Sequence, residues 1–328
     1  MRLRDSHGRV ATDLRVSLTD HCNLRCSYCM PAEGLAWLPR AEILTDEEIV
    51  RLVRIAVSRL GVDEVRLTGG EPTLRPGLVG LVARLARLRP RPQLSMTTNG
   101  IALVGMAPAL RAAGLDRVNV SLDTLRPGRY QALTRRDRLA DAQAGLAAVA
   151  AAGLVPVKVN AVLLRGVNDD EAPDLLRWCL RRGYQLRFIE QMPLDPQRSW
   201  DRAAMVTGAE ILAGLRGEFT LAPLPARGSA PAELFTVDGG PGTVGLVGSV
   251  TAPFCAACDR VRLTADGQVR SCLFAREETD LRTPMRAGAD DAQLAALWMR
   301  AVRGKRAGHG IDQPAFTQPA RPMSAIGG

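Results

Sequence analysis

The 328-residue sequence lacks several features that define whole classes of protein. It has no apolar run near the roughly 20 residues that a transmembrane helix requires. Residues 1–16 lack the apolar segment of a secretory signal. Seven cysteines, an odd number, argue against a disulfide framework. Because 46% of the residues are hydrophobic, a sizeable core is available. We therefore expect a folded cytoplasmic protein without membrane contact.

Lysine and aromatic residues are also scarce. Only Lys158 and Lys305 are lysines among the 43 basic residues, and aromatic residues make up 4% of the chain. The formal net charge of +9 suits an anionic partner, either nucleic acid or a phosphorylated small molecule. Since the basic residues are scattered and have few aromatic neighbours, the pattern disfavours nucleic acid.

Six of the seven cysteines form two groups. The first triplet is Cys22, Cys26 and Cys29, and the second triplet is Cys255, Cys258 and Cys272. In a chain without a secretory signal, clustered thiols are typical of metal ligands. The remaining cysteine, Cys179, lies in a predicted helix, where we expect a small buried hydrophobic residue.

Strand-like segments alternate with helical patterns over the first two-thirds of the chain. The clearest helix is predicted at 46–60, with Thr45 and Glu48 as a capping box and Gly61 at its end. The six predicted strands are 13–19, 63–69, 93–99, 116–123, 155–164 and 185–192. This alternation predicts an α/β fold with a parallel sheet.

Each predicted strand has one polar and one apolar face. In the first strand, Arg15 and Ser17 share a face, whereas Leu14 and Val16 share the other. Parallel strands that are covered on both sides usually form continuous apolar runs. The alternation favours a partial (β/α)6 barrel of the TIM type, in which polar faces line a binding cavity. An open sheet with solvated strand ends is the alternative.

The composition changes after residue 205. Residues 221–233 and 238–248 are rich in Pro, Gly and Ala, and a further helix is predicted around 290–302. We therefore predict two domains: a partial barrel over 1–205, and a smaller C-terminal domain over 206–328 that carries the second triplet and the Gly-Gly tail.

The spacing of the first triplet, CxxxCxxC, follows the first predicted strand directly. Three thiolates from one loop can hold three irons of a four-iron four-sulfur cluster, which leaves the fourth iron open to a substrate or cofactor. Structural zinc is the alternative, but such sites close with four ligands. No fourth cysteine lies nearby, so the spacing favours a cluster.

These motifs resemble the radical S-adenosylmethionine (SAM) superfamily. Tyr28 precedes the third cysteine of CxxxCxxC, and the second predicted strand ends in GGEP at 69–72, a segment that meets the amino group of SAM in that superfamily. Segments from DLRVSLTDHCNLRCSYCMP to FCAACDRVRLTADGQVRSCLF and the terminal Gly-Gly follow the order found in the GTP 3′,8-cyclases of molybdenum-cofactor biosynthesis. The resemblance covers nearly the whole chain. His21 departs from it, because the family often has Arg there.

The resemblance implies two four-iron four-sulfur clusters, SAM as cofactor and GTP as substrate. A 5′-deoxyadenosyl radical would take hydrogen from the ribose C3′, and this carbon would bond to guanine C8, giving 3′,8-cyclo-7,8-dihydro-GTP. The second triplet would hold the second cluster, with its open iron facing the guanine. The residues alone leave zinc with a distant histidine, such as His309, open at this triplet.

The resemblance also implies individual site residues. Those for SAM are Tyr28, Gly70, Ser121 and Met192. Those for GTP are Arg15, Arg66, Thr97, Lys158, Arg260, Val261 and Arg262. Gly327 and Gly328 would reach into the active site, although composition alone favours a frayed terminus. Met192 equally fits a core position.

The implied partners are a flavodoxin-like or equivalent electron donor and, downstream, cyclic pyranopterin monophosphate synthase. A homodimer is also possible on this reading. Two alternatives stay open. One is another radical SAM enzyme whose auxiliary cluster serves a different anionic or peptide substrate. The more distant one is a non-enzymatic protein that binds zinc and nucleic acid.

Overall fold

The six predicted strands all form, and each is shorter than its sequence pattern. The computed structural model describes residues 1–225, 228–313 and 315–327, so Gly328 lies outside the described residues. The strands are β1 (Asp13–Ser17), β2 (Glu64–Thr68), β3 (Gln93–Thr98), β4 (Arg117–Ser121), β5 (Lys158–Val162) and β6 (Gln185–Ile189). Consecutive strands pair in parallel, which confirms the α/β prediction.

Helices follow most of these strands and cover their apolar faces. The first helix has the predicted capping box at Thr45 and Glu48, and it ends at Gly61, whose φ of 78° is left-handed. The helices are α1 (Asp46–Leu60), α2 (Leu78–Ala86), α3 (Leu103–Ala113), α4 (Pro127–Thr134), α5 (Leu139–Ala151), α6 (Ala172–Arg181), α7 (Gly208–Arg216), α8 (Arg282–Arg286), α9 (Asp291–Arg303) and α10 (Met323–Ile326). Cys179 is buried on α6, as predicted.

Strands from the C-terminal part of the chain extend the same sheet at both sides. They are β7 (Leu221–Pro223), β8 (Glu233–Val237), β9 (Thr243–Val247), β10 (Arg260–Leu263), β11 (Gln268–Arg270) and β12 (Thr279–Asp280). β10 pairs in parallel with β1, and β9 pairs in parallel with β6. The other added strands are antiparallel. The predicted boundary at residue 205 stays a prediction.

The sheet curves strongly. β10 and β6 are six strands apart in its order, which would be about 29 Å in a flat sheet. Arg187 of β6 is nevertheless close enough to Arg260 of β10 for that guanidinium to help lower its pKa. The polar faces of the strands therefore point into a shared interior.

The apolar faces form the core, as the alternation predicts. Leu14, Val16 and Leu18 are fully buried, and they pack in one cluster with the inward sides of the helices. Within the described part of the chain, no helix is long and apolar enough to cross a membrane.

Candidate functional site

A cavity of about 310 Å³ occupies the interior of the curved sheet, toward the carboxyl ends of its strands. Most of the site residues predicted from the sequence line it. These are Arg15, Cys22, Cys26, Tyr28, Cys29, Arg66, Gly70, Thr97, Ser121, Met192, Arg260 and Arg262. Carboxyl ends of parallel strands are the usual place for ligands in α/β proteins.

The first triplet lies in the loop that follows β1. All three thiols are free. A tight turn fixes the loop, because the N–H groups of Cys29 and Met30 both donate to the Cys26 carbonyl at 2.9 Å. Burial raises the pKa of Cys22 to about 11, with a contribution from the nearby Glu71 carboxylate. Burial also raises the pKa of Cys29 to about 12.

The GGEP segment lies against this cysteine loop, backbone to backbone. A Cβ at Gly70 would lie 2.2 Å from the His21 carbonyl oxygen, so only glycine fits there. The Glu71 N–H donates to the same carbonyl at 2.7 Å. The buried Glu71 carboxylate accepts hydrogen bonds from Thr73, Thr98 and Asn99. The segment thus joins the first triplet to the ends of β2 and β3.

Asp123 is a site residue that the sequence reasoning did not single out. Its Oδ2 accepts a hydrogen bond from the Tyr28 hydroxyl at 2.7 Å, and its Oδ1 accepts from the Val162 N–H at 2.9 Å. Burial raises the pKa of Asp123 to about 6. The signal for it was available, because a carboxylate directly after a parallel strand is a frequent site residue.

The second triplet lines an adjoining cavity. Cys255 and Cys258 flank a short 3-10 turn just before β10, and Cys272 follows β11. The two cavities share Met192, Ser249, Phe254, Arg260, Arg262 and Leu273. The structure therefore places the two triplets in adjoining cavities.

The surroundings of the second triplet do not favour zinc. His309 accepts from the Ile311 N–H at Nδ1, so its Nε2 carries the proton and donates to the Ser249 carbonyl. Neither ring nitrogen of His309 is then free to bind a metal. In the described residues, no three His, Cys, Asp or Glu side chains are arranged around a single ion. Thiols that each bind a different corner of a cluster need not converge on one point.

Guanidinium groups crowd the deep end of the cavity. Arg15, Arg66 and Arg260 all lie within 4.0 Å of one carboxylate, that of Asp13. Burial and neighbouring arginines lower the pKa of Arg187 and of Arg262 to about 10 each. Four arginines that line this cavity have a buried Nε atom without a hydrogen-bond partner among the described residues: Arg15, Arg66, Arg187 and Arg260. This excess of unpaired donors fits a polyanion.

Two predicted GTP residues do not line the cavity. Lys158 begins β5, where burial and the nearby Arg187, Arg117 and Arg66 lower its pKa to about 7. The Val261 side chain is 1% exposed and belongs to the apolar core, beside Leu14 on β1. Any contact of Val261 with a ligand would have to come from its backbone.

The C-terminal segment packs into the cavity. Met323 and Ser324 line it, and the Ser324 N–H donates to the Cys29 thiol. The Gly327 carbonyl accepts a hydrogen bond from Arg262. A Cβ at Gly327 would lie 2.5 Å from Thr68 Oγ1, and the φ of Gly327 is 90°. Residues 323–327 are therefore packed rather than frayed, whereas the predicted role of Gly328 falls outside the described residues.

His21, at the position where the family often has Arg, directly precedes Cys22 in the cysteine loop. Its ring stacks on that of Trp37, with 4.7 Å between centroids, and the Arg25 guanidinium also lies over Trp37. The side chain of His21 thus contacts an aromatic ring and not a thiol of the triplet.

Comparison with known proteins agrees with this geometry. Residues 16–179 match the radical SAM superfamily, and residues 184–311 match the family described as Molybdenum Cofactor Synthesis C. The GTP 3′,8-cyclase of Streptomyces coelicolor is 65% identical over 99% of this chain and 96% of its own length. The GTP 3′,8-cyclase of Mycobacterium sp. strain KMS is 61% identical over 99% and 93%.

Solved structures share the fold at low identity. Streptococcus suis SuiB bound to S-adenosylmethionine matches with a TM-score of 0.59 and 14% identity, over 92% of this chain and 70% of its own. The enzyme anSMEcpe with bound AdoMet matches with a TM-score of 0.59 and 13% identity, over 92% and 79%. The superfamily implies SAM and one four-iron four-sulfur cluster as cofactors. With the two cyclase relatives matching almost end to end, the chain belongs to the GTP 3′,8-cyclase family of radical SAM enzymes.

Proposed function

We propose that this chain converts GTP into 3′,8-cyclo-7,8-dihydro-GTP, the first step of molybdenum-cofactor biosynthesis, with SAM at the first triplet and GTP at the second. The observation that carries the proposal is the placement of the two thiol triplets in adjoining cavities that share Arg260 and Arg262 in their lining. Three thiols per site leave one iron of each cluster for a small molecule, and adjoining cavities would bring the two molecules close together.

The first triplet suits a four-iron cluster with SAM on its open iron. Its three thiols are free, lie in one loop and line the cavity. Tyr28, Gly70, Ser121 and Met192 border the same space and would orient SAM. The bond from Tyr28 to Asp123 holds the loop against the end of β4. When bound, the cluster and SAM supply the 5′-deoxyadenosyl radical that takes hydrogen from the ribose C3′.

The second triplet suits a second four-iron cluster with the guanine on its open iron. Arg260 and Arg262 face inward from β10, which lies next to this triplet. We assign Arg15, Arg66, Thr97, Lys158, Arg260, Arg262 and the Val261 backbone to GTP. Arginine forks give bidentate bonds to phosphate oxygens, so the unpaired Nε donors would hold the triphosphate. The Gly327 carbonyl on Arg262 would fix that guanidinium near the substrate.

The fold would hold the two molecules in position and keep water out of the site. The walls of the cavity are strands whose outer faces are buried in the core, so they move little. A reactive carbon radical needs protection from water and from other hydrogen donors. We further propose a cytoplasmic location, a flavodoxin-like or equivalent electron donor, and transfer of the product to cyclic pyranopterin monophosphate synthase.

Anaerobic reconstitution followed by turnover tests the proposal. The purified chain should hold about eight irons, the content of two four-iron clusters. Incubated with SAM and a chemical reductant, it should form 5′-deoxyadenosine and cyclised nucleotide when GTP is present, and far less 5′-deoxyadenosine with ATP. Formation of 5′-deoxyadenosine that does not depend on GTP would favour the alternative substrate, anionic or peptide. A colourless zinc protein would refute both readings.

A further inference from the structure

Lys305 is a buried lysine beside the second triplet. It follows α9, and only 4% of the residue is exposed. Its Nζ donates to the Cys258 carbonyl at 3.0 Å, to the Arg260 carbonyl at 2.8 Å and to the Cys258 Sγ at 3.3 Å. The three N–H bonds of an ammonium group are all accounted for by these acceptors.

The charge of Lys305 has no carboxylate partner among the described residues. A buried ammonium is costly unless an opposite charge lies close by. Its two carbonyl acceptors are neutral, so the Cys258 sulfur is the acceptor that could carry negative charge. The chain has 43 basic residues and only two lysines, yet one of the two is placed here. A compact ammonium fits between two carbonyls and a sulfur, whereas a planar guanidinium fork does not.

Other thiols of the two triplets receive hydrogen bonds from neutral backbone groups. The Phe274 N–H lies 3.4 Å from the Cys272 Sγ, and the His309 N–H donates to Cys255. At the first triplet, the Leu24 N–H lies 3.5 Å from the Cys22 Sγ. Among the six thiols, Cys258 alone receives a hydrogen bond from a charged side chain in the described structure.

We propose that Lys305 raises the reduction potential of the cluster held by the second triplet, through its hydrogen bond and its charge on the Cys258 sulfur. This inference rests on the proposed function, because it presupposes a second four-iron cluster. Reduction adds one electron and takes the cluster core from the 2+ to the 1+ state. A neighbouring cation and an N–H···S bond stabilise the more negative state, and both are known determinants of cluster potential. Lys305 touches a ligand and not the substrate, so it is a positioning and tuning residue.

The test uses the full chain with Cys22, Cys26 and Cys29 replaced by Ser, so that only the second cluster can form. This parent should hold about four irons after reconstitution. A parent without iron would refute the second cluster itself, and with it the proposed function. In the iron-loaded parent, reduction of the second cluster is then followed by electron paramagnetic resonance during a redox titration.

Three substitutions in this parent are compared. Lys305→Met should shift the midpoint potential to more negative values, and Lys305→Arg, which keeps the charge, should shift it less. Arg306→Met is the matched control, because the neighbouring Arg306 is exposed, and it should leave the potential unchanged. Retention of iron in Lys305→Met with an unchanged midpoint would overturn the proposal.

A second measurement does not depend on the stability of the Lys305→Met variant. In the parent with Lys158→Arg added, Lys305 is the sole lysine. Lysine labelled with nitrogen-15 at Nζ should then produce a nitrogen hyperfine coupling to the reduced cluster in pulsed electron paramagnetic resonance. Absence of that coupling in an iron-loaded parent would overturn the proposal, even if Lys305→Met fails to fold.

Discussion

The two cysteine triplets have similar thiols but opposite electrostatic surroundings. Carboxylates, including Glu71 and Asp123, lie near the first triplet and add to the burial that raises the pKa values of its thiols. At the second triplet, burial would raise the pKa of Cys258, but Lys305 and Arg260 outweigh it and lower that pKa. Under the proposed function, these neighbouring charges would make a cluster at the second triplet easier to reduce than one at the first.

Strand pairing brings the two triplets close together. The triplets lie far apart in the sequence, yet β1, which leads into the first, pairs in parallel with β10, which follows Cys258. The Leu14 backbone is in register with Val261. Under the proposed function, two sites in adjoining cavities would bring two bound molecules together for a single reaction.

The largest effect is expected from the first triplet. Cys26→Ser should abolish 5′-deoxyadenosine formation and remove about half of the iron, because two thiolates hold a cluster poorly. Iron analysis and chromatography of the nucleoside products measure both. Full activity with full iron content in this variant would contradict the assignment of the first triplet.

The second triplet should behave differently. Cys272→Ser should also lose about half of the iron, yet it should still cleave SAM to some extent while the cyclised nucleotide disappears. The ratio of cyclised product to 5′-deoxyadenosine is the informative quantity. If Cys272→Ser gave the same ratio as the wild type, the proposed assignment of GTP to the second triplet would be wrong.

The C-terminal segment contacts residues at both cysteine triplets. Ser324 donates to Cys29, and Gly327 accepts from Arg262. Deletion of Gly327 and Gly328 should leave iron content and SAM binding intact but severely reduce cyclisation. Gly327→Ala should reduce cyclisation too, since its Cβ would collide with Thr68 Oγ1. Wild-type turnover by the truncated enzyme would exclude a catalytic role for the tail.

The sequence predicted the strands well, because strands depend on local patterns, whereas the metal-binding role of both triplets stays a prediction. Alternation of polar and apolar residues places Arg15 and Arg66 in the interior without knowledge of the fold. The partners of Asp123 and Lys305 could not be predicted, since each depends on contacts between distant segments. The sequence GKRAGHG around Lys305 indicates no role for it. Its role is inferred from the hydrogen bonds that it donates to the carbonyls of Cys258 and Arg260.

The extent of the sheet also escaped prediction. The segment that forms β9 lies in the Pro- and Gly-rich stretch 238–248, and the segment that forms β10 is only four residues long. Their pairing with β6 and β1 is non-local, so the local sequence pattern does not specify it. The close approach of Gly70 to the cysteine loop was not predicted either, and its predicted contact with SAM stays a prediction.

Arg66→Ala should have a smaller and more selective effect. Loss of hydrogen bonds to a charged group costs about 1.5–3 kcal/mol, or roughly 10- to 150-fold in the dissociation constant for GTP. SAM affinity should barely change. Arg84→Ala is the control, because Arg84 pairs with Glu47 and does not line the cavity. An equal loss of SAM and GTP affinity in Arg66→Ala would indicate a disrupted fold.

The smallest effect is expected from Lys158, through pH. Burial, with the nearby Arg187, Arg117 and Arg66, lowers its pKa to about 7, so above this pH the side chain is mostly neutral in the free protein. A bound triphosphate favours the charged ammonium, so GTP binding at pH 8 should be accompanied by proton uptake, and affinity should fall several-fold as the pH rises from 7 to 8. Lys158→Arg stays charged and separates this uptake from the titration of GTP itself. Calorimetry in buffers of different ionisation enthalpy measures the uptake, and equal uptake by the variant and the wild type would remove Lys158 from the phosphate site.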